Sequence, residues 1–161
     1  MFVKPNARGS TVGVTKVKTP EELLPAIQEA FKESDQVLME EFIEGREISC
    51  GVMIAEGKEY VFPITELVSQ KEFFDYEAKY QGLSHEITPA DLPDAVRKEV
   101  NRLTLIAYKR LNCRGVVRID FIIKGDTPYM IEINTIPGMS SHSIIPQQAA
   151  AMLKKLKELI K

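Results

Sequence analysis

Two stretches of this chain alternate apolar and polar residues with a period of two: Arg114-Gly-Val-Val-Arg-Ile-Asp-Phe-Ile-Ile-Lys124 and Tyr129-Met-Ile-Glu-Ile-Asn134. Successive side chains of a strand point to opposite faces, so Val117, Ile119, Phe121 and Ile123 share one face. Arg118 and Asp120 share the other. In the second stretch Tyr129, Ile131 and Ile133 oppose Glu132 and Asn134 in the same way. Gly125-Asp126 supplies a tight turn between them. The pattern predicts a hairpin with one apolar face for a core and one face carrying Arg118, Asp120, Glu132 and Asn134. Such a hairpin folds only where something covers its apolar face.

The rest of the chain offers the cover. A helix is predicted from Pro93 to Leu111, with Val96, Val100, Leu103, Ala107 and Leu111 on one face. Another begins at Thr19-Pro20-Glu21-Glu22, where a capping threonine, an N-terminal proline and a capping-box glutamate fall together. Leu23, Ile27, Ala30 and Phe31 are its expected buried face. A last helix is expected from Pro146 to Ile160. Strands are expected at Phe2–Lys4, around Val12–Val17 and from Gln36 to Phe42. A hairpin is expected from Ile48–Ala55 and Tyr60–Ile64 about Glu56-Gly57-Lys58. The stretch from Ser69 to Pro89 shows no sustained period and reads as a long functional loop. Strands and helices mix without regular βαβ alternation, which predicts an α+β fold of antiparallel sheets packed with helices.

Composition narrows the function classes. The chain has 161 residues, 44% hydrophobic and 27% charged, as in ordinary globular proteins. A net charge of −2 gives no long-range pull toward nucleic acid or an anionic membrane, so neither is an expected partner. No apolar run approaches the ~20 residues of a bilayer span, and Met1-Phe2-Val3-Lys4-Pro5 lacks signal-peptide anatomy. Cys50 and Cys113 stand far apart and only two histidines are present, which argues against a zinc site and for reduced thiols in the cytoplasm.

Two carboxylates and an amide oxygen on neighbouring strands are hard oxygen donors of the kind magnesium prefers, and an arginine beside them can face the same anion. A solvated sheet face with one exposed ion pair is the competing explanation of the same four residues. At the N-terminal end, Lys4 precedes a loop whose Gly9 and Gly13 let backbone amides approach an anion. No Gly-Lys-Ser/Thr follows, so this is not a P-loop.

Several segments together carry a resemblance. Gly115-Val-Val-Arg-Ile-Asp120 and Glu132-Ile-Asn-Thr-Ile-Pro-Gly-Met139 resemble the metal-binding strands of ATP-grasp ligases. Ser140-Ser-His-Ser-Ile-Ile-Pro146, Lys4-Pro5, Gly9-Ser10-Thr11-Val12-Gly13 and Phe74-Asp-Tyr-Glu-Ala-Lys-Tyr80 are similar to the D-alanine–D-alanine ligase branch. The matches run in order along essentially the whole chain.

That resemblance implies an ATP-dependent ligation of two D-alanine molecules through an acyl phosphate, for peptidoglycan precursors. It implies that Asp120, Glu132 and Asn134 hold two magnesium (or manganese) ions and that Arg118 steadies the oxyanion of the second step. Lys4 would touch the α- and β-phosphates, and Lys79 the γ-phosphate from a mobile loop spanning Phe74 to Tyr80. Glu40, Glu41, Phe42 and Ile43 would line adenine, with Glu47 placed for the ribose hydroxyls. Phe42 departs from relatives that carry tryptophan there. Ser10 is implied among the catalytic residues. Tyr80, Gly138, Ser143 and Ile144 are implied at the D-alanine site, Ser143 toward the carboxylate of the second D-alanine. The Tyr-Glu-Ala-Lys-Tyr form of the loop fits users of D-alanine over users of D-lactate. His142 is read as structural, and His85 and the cysteines carry no role.

The implied organisation is a remainder of the small nucleotide lobe at 1–44 and a metal- and substrate-binding lobe at 45–161. The family's domain for the first D-alanine has no counterpart here. The chain is therefore expected to be a fragment, inactive alone, with an exposed sheet edge that favours self-association. The full-length enzyme is expected to be a homodimer in the cytoplasm. Two alternatives remain: an ATP-grasp carboxylate–amine ligase with another acceptor, or a non-catalytic nucleotide-binding module.

Overall fold

A computed structural model describes residues 1–7, 12–69 and 84–159. These form two compact units, one over Met1–Ile43 and one over Glu44–Val68 with 84–159.

In the first unit, β1 (Phe2–Pro5) lies between β2 (Thr15–Lys16) and β3 (Val37–Glu40) in a three-stranded antiparallel sheet. A turn of 3-10 helix at Pro20–Glu22 leads into α1 (Leu23–Phe31). Thr19 makes no side-chain cap. Glu22 instead accepts from the Lys18 backbone N–H at 2.7 Å, so the start signal works one residue earlier than its motif suggests. Val3, Val17, Ala26 and Ala30 form the core, with Leu23, Ile27 and Val37 packed against it. Phe31, expected inside, is 54% exposed because Ala26 and Ala30, four apart, turn the small face of the helix inward. The strand expected around Val12–Val17 is reduced to Thr15 and Lys16.

The second unit is a six-stranded sheet. Its path runs β7 (Ser84–Ile87), β6 (Thr65–Ser69), β4 (Arg46–Ala55), β8 (Val116–Lys124) and β9 (Thr127–Asn134), and β5 (Lys58–Val61) also pairs with β4. Long central β4 pairs antiparallel with β8 on one edge and with β6 and β5 in turn on the other. Ile48, Cys50, Val52, Val117, Ile119, Phe121 and Ile123 make the apolar face. The helix α2 (Asp94–Arg110) covers it with Val96, Val100, Thr104 and Tyr108, a spacing of four along one stripe. Leu111, assigned by period to that stripe, lies beyond the helix end and is 60% exposed. A third helix, α3 (Ile144–Leu159), completes the unit.

Two further sequence expectations fail for identifiable reasons. Ser84–Ile87, within the stretch read as loop, forms β7 at the end of the sheet path, where one partner suffices and little periodicity is needed. Tyr129 does not share the apolar face. The register runs Asp120↔Glu132 and then Phe121↔Met130, leaving Ile131 as an extra residue in a β-bulge. Beyond the bulge every β9 side chain swaps faces, so Tyr129 stands opposite Ile122 and Met130 opposite Phe121.

One surface ion pair ties β4 to β6. Arg46 forks onto Glu66, Nε to Oε1 and Nη2 to Oε2 at 2.7 Å each, and also donates to the Asp91 carbonyl at 2.7 Å. The hydrogen bond from Arg46 holds the Glu66 carboxyl below its ordinary pKa. A carboxylate lowered in the folded state adds stability that is complete above its unfolded pKa, near ~4.3. That stability disappears as pH falls through the folded value. Glu66→Gln should therefore lower the urea midpoint at about pH 7 and lower it less at about pH 3. Because Arg46 is 43% exposed, the difference should stay under about 1 kcal/mol. Equal loss at both pH values would assign the effect to packing instead.

Candidate functional site

The bulge leaves intact the part of the hairpin that bears charge. On the face away from α2, Asp120 pairs directly with Glu132, and Arg118 with Asn134. On the other side of β8, Ser49 pairs with Asp120 and Gly51 with Arg118. Three strands thus present one small polar surface.

Arg118 lies along the strand toward Asp120. Its Nε reaches Oδ1 at 3.0 Å and Oδ2 at 3.2 Å, and its Nη2 reaches Oδ2 at 2.8 Å. The same Nη2 stands 3.6 Å from a carboxylate oxygen of Glu132. Burial works against the guanidinium charge. The hydrogen bonds Arg118 donates to Asp120 and the charge of that carboxylate, with Glu132 and Glu47 adding, outweigh burial and raise the Arg118 pKa above its ordinary value. Arg118 therefore stays a cation held among three carboxylates. Asp120 is 8% exposed, whereas Glu132 lies among the exposed residues of the edge strand β9.

Donor chemistry of this face fits magnesium: two carboxylates opposite one another across a ladder and an amide beside them. Among the described residues no three His, Cys, Asp or Glu side chains converge to hold an ion. Magnesium commonly takes one or two protein carboxylates and completes its shell with water and phosphate. The Asn134 Oδ1 accepts from the Ile136 N–H at 3.1 Å, which starts the loop toward α3.

This loop ends on the implied acceptor residues. Ser143 Oγ lies 2.9 Å from Ser140 Oγ and accepts from the Ser140 N–H at 3.2 Å. A Cβ on Gly138 would lie 2.8 Å from Ser143 Oγ, so only glycine admits that approach. Ile144 is 9% exposed at the start of α3, which leaves Ser143 as the more accessible of the two. His142 is exposed, and its carbonyl accepts from Gln147 at 3.1 Å. Burial pushes the Cys50 thiol up to about 12, so it is protonated at neutral pH.

In the first unit, Lys4 Nζ lies 2.7 Å from Glu40 Oε1. The Phe42 ring meets the edge of Phe2 at 5.6 Å between centroids, with Lys16 Nζ 3.9 Å above it. Aromatic edge contact and cation–π attraction both steady this ring. Glu41 is exposed and Ile43 half-buried. Glu47 belongs to the second unit, on β4, opposite Ile122 and Leu67. Ser10, Lys79 and Tyr80 lie outside the described residues, as does the expected mobile loop from Phe74 to Tyr80.

Ser49 and Gln148 carry no motif, yet both are fully buried on this side of the sheet. The Ser49 hydroxyl donates to Asp120 Oδ1 at 2.6 Å. Gln148 bonds the backbone of Ser49 and Gly51. A glutamine at a helical position facing the sheet was the available signal, and it reads equally well as surface.

Comparison with known proteins agrees on one family. The family model described as D-ala D-ala ligase C-terminus matches residues 1–161. The D-alanine–D-alanine ligase of Phocaeicola vulgatus is 53% identical over 160 residues, which is 99% of this chain and 49% of that protein. Among solved structures, the Bacillus anthracis D-alanine–D-alanine ligase complexed with ATP superposes with a TM-score of 0.77 at 32% identity, over 94% of this chain and 46% of that one. The VanG D-Ala:D-Ser ligase of Enterococcus faecalis superposes with a TM-score of 0.81 at 34% identity, over 94% of this chain and 44% of that one. The chain spans about half the length of the curated relatives it matches.

Proposed function

This chain belongs to the D-alanine–D-alanine ligase family, and on that premise we propose that it supplies the metal- and acceptor-binding half of an ATP-dependent ligase joining two D-alanine molecules. One observation carries the reading: Arg118, Asp120, Glu132 and Asn134 share one face of a bulged hairpin that leads directly into the Ser143 loop.

The reaction places one D-alanine carboxylate on the γ-phosphorus of ATP, with ADP leaving. The amine of the second then attacks the resulting acyl carbon, loses a proton and expels phosphate. Magnesium, when bound, neutralises phosphate charge that would otherwise repel the attacking carboxylate. Asp120 and Glu132 would hold it with two hard oxygens and Asn134 with a third. Arg118, cationic and already directed along this face, would steady the oxyanion of the tetrahedral intermediate. Ser143, fixed by Ser140 and close to Gly138, would orient the acceptor carboxylate. Lys4 and Glu40 would contact phosphate and the adenine amino group. Glu41, Phe42 and Ile43 would line the base, and Glu47 would take the ribose hydroxyls. Ser10, Lys79 and Tyr80 complete the proposed set, with a cytoplasmic homodimer as the proposed assembly.

Similar curated proteins at 43–53% identity are D-alanine–D-alanine ligases, which favours D-alanine as acceptor over the D-serine named for VanG. The test is a graft: this chain in place of the matching half of the Phocaeicola vulgatus ligase. D-alanine-dependent release of phosphate and formation of D-alanyl-D-alanine are expected. A graft that folds and binds Mg-ATP yet makes no dipeptide would overturn the reading.

A further inference from the structure

Asp120 Oδ1 receives two hydrogen bonds, and only one comes from the arginine. The other is the Ser49 hydroxyl at 2.6 Å, from a residue that is 0% exposed and sits directly across the β4–β8 ladder. A serine hydroxyl carries a single proton, and here it is donated to the carboxylate oxygen. A short O–H···O⁻ bond of this kind is among the stronger hydrogen bonds in proteins.

The backbone of Ser49 is itself held from an unusual direction. On the outer edge of β4, pairing with β6 ends at Ser49↔Thr65 and pairing with β5 begins at Val52↔Val61. The chain between these strands passes through Pro63, which has no N–H to donate. The Gln148 side-chain amide fills the gap. Its Nε2 donates to the Ser49 carbonyl at 2.9 Å and to Thr65 Oγ1 at 3.0 Å, and its Oε1 accepts from the Gly51 N–H at 3.0 Å. Gly51 makes the approach possible, because a Cβ there would lie 2.6 Å from both Gln148 Oε1 and Ile145 Cδ1. Helix α3 thus grips the two β4 residues whose partners on β8 are Arg118 and Asp120. Ser49 cannot shift without breaking this contact, and its hydroxyl transmits that rigidity to Asp120.

We propose that Ser49 is a positioning residue that, held by Gln148, fixes the Asp120 carboxylate in the orientation needed to share a divalent cation with Glu132. The proposal rests on the metal reading of Asp120 given above. A ligand carboxylate that is free to turn binds less tightly, and outer partners of metal ligands typically contribute 10–100-fold in metal affinity.

The test is Mn²⁺ binding by the whole chain in the presence of ADP, followed by loss of the free-ion electron paramagnetic resonance signal. Ser49→Ala should raise the Mn²⁺ Kd about 10–100-fold while the near-UV circular dichroism stays that of wild type. Ser49→Thr, which keeps the hydroxyl, should return the Kd to within a few-fold of wild type. Should the alanine variant not fold, Ser49→Cys, nearly isosteric and a weak donor, takes its place with the same expected loss. Asp120→Asn is the control. If Asp120→Asn abolishes binding and Ser49→Ala leaves it at the wild-type value, the positioning role is wrong and the metal reading stands. A threonine variant as weak as the alanine variant also overturns the role, because the hydroxyl would then not be the cause. If wild type binds no Mn²⁺, or Asp120→Asn binds as well as wild type, the metal reading fails and the proposal falls with it.

Discussion

Replacing Arg118 with alanine in the grafted ligase should lower kcat by about 10²–10³, the usual cost of losing one donor to a developing oxyanion. The expectation follows from how the side chain is held. Two nitrogens of the guanidinium engage Asp120, a third carboxylate oxygen from Glu132 stands 3.6 Å away, and the group remains a cation. Such a charge is set before the reaction begins, so no reorganisation is needed when negative charge develops on the acyl oxygen. The KM for Mg-ATP should move much less than kcat, since the arginine acts in the second step. Arg118→Lys should not restore the rate, because a single ammonium cannot reproduce the fork on Asp120. Steady-state kinetics over a range of ATP concentrations decide the matter. A variant with wild-type kcat and a raised KM for ATP would assign Arg118 to nucleotide binding instead.

Gln148→Leu should destabilise the chain severely while changing side-chain volume little. The substitution strands the Ser49 carbonyl and the Gly51 N–H, both on buried residues. A buried polar group left without a partner costs about 1–3 kcal/mol, so two cost about 2–6 kcal/mol. Against a total stability on the order of 5–15 kcal/mol, that is a large fraction. Thr65 loses one bond but keeps Thr88, 2.6 Å away, so it adds little. Urea unfolding followed by circular dichroism gives the number. A midpoint within experimental error of wild type would mean that the amide does not tie α3 to β4.

How much of the site is legible without the fold differs residue by residue. Arg118, Asp120, Glu132 and Asn134 were placed on one face by period-two alternation alone, and the register confirms the shared face. Alternation reports which way a side chain leaves its own strand, a local property of the backbone. It fails at Tyr129 because a bulge adds a residue to one strand, and nothing in the composition of Ile131 marks it as the extra one. Phe31 fails for a related reason: a helical period gives a stripe, and packing on β1 chose the alanine side of it.

The family, the α+β class, the helices near 94–110 and 144–159, and the charged hairpin face are all legible in the order of the residues. These rest on short-range spacing, where backbone geometry repeats. The folded packing alone brings Ser49 to Asp120, sets Gln148 at the open edge of β4, and makes Gly51 the point where α3 touches the sheet. The residues in those contacts are 71 to 99 positions apart, and a strand's own pattern does not encode which strand lies beside it. That choice belongs to burial and hydrogen-bond satisfaction summed over the whole unit, which no single segment carries.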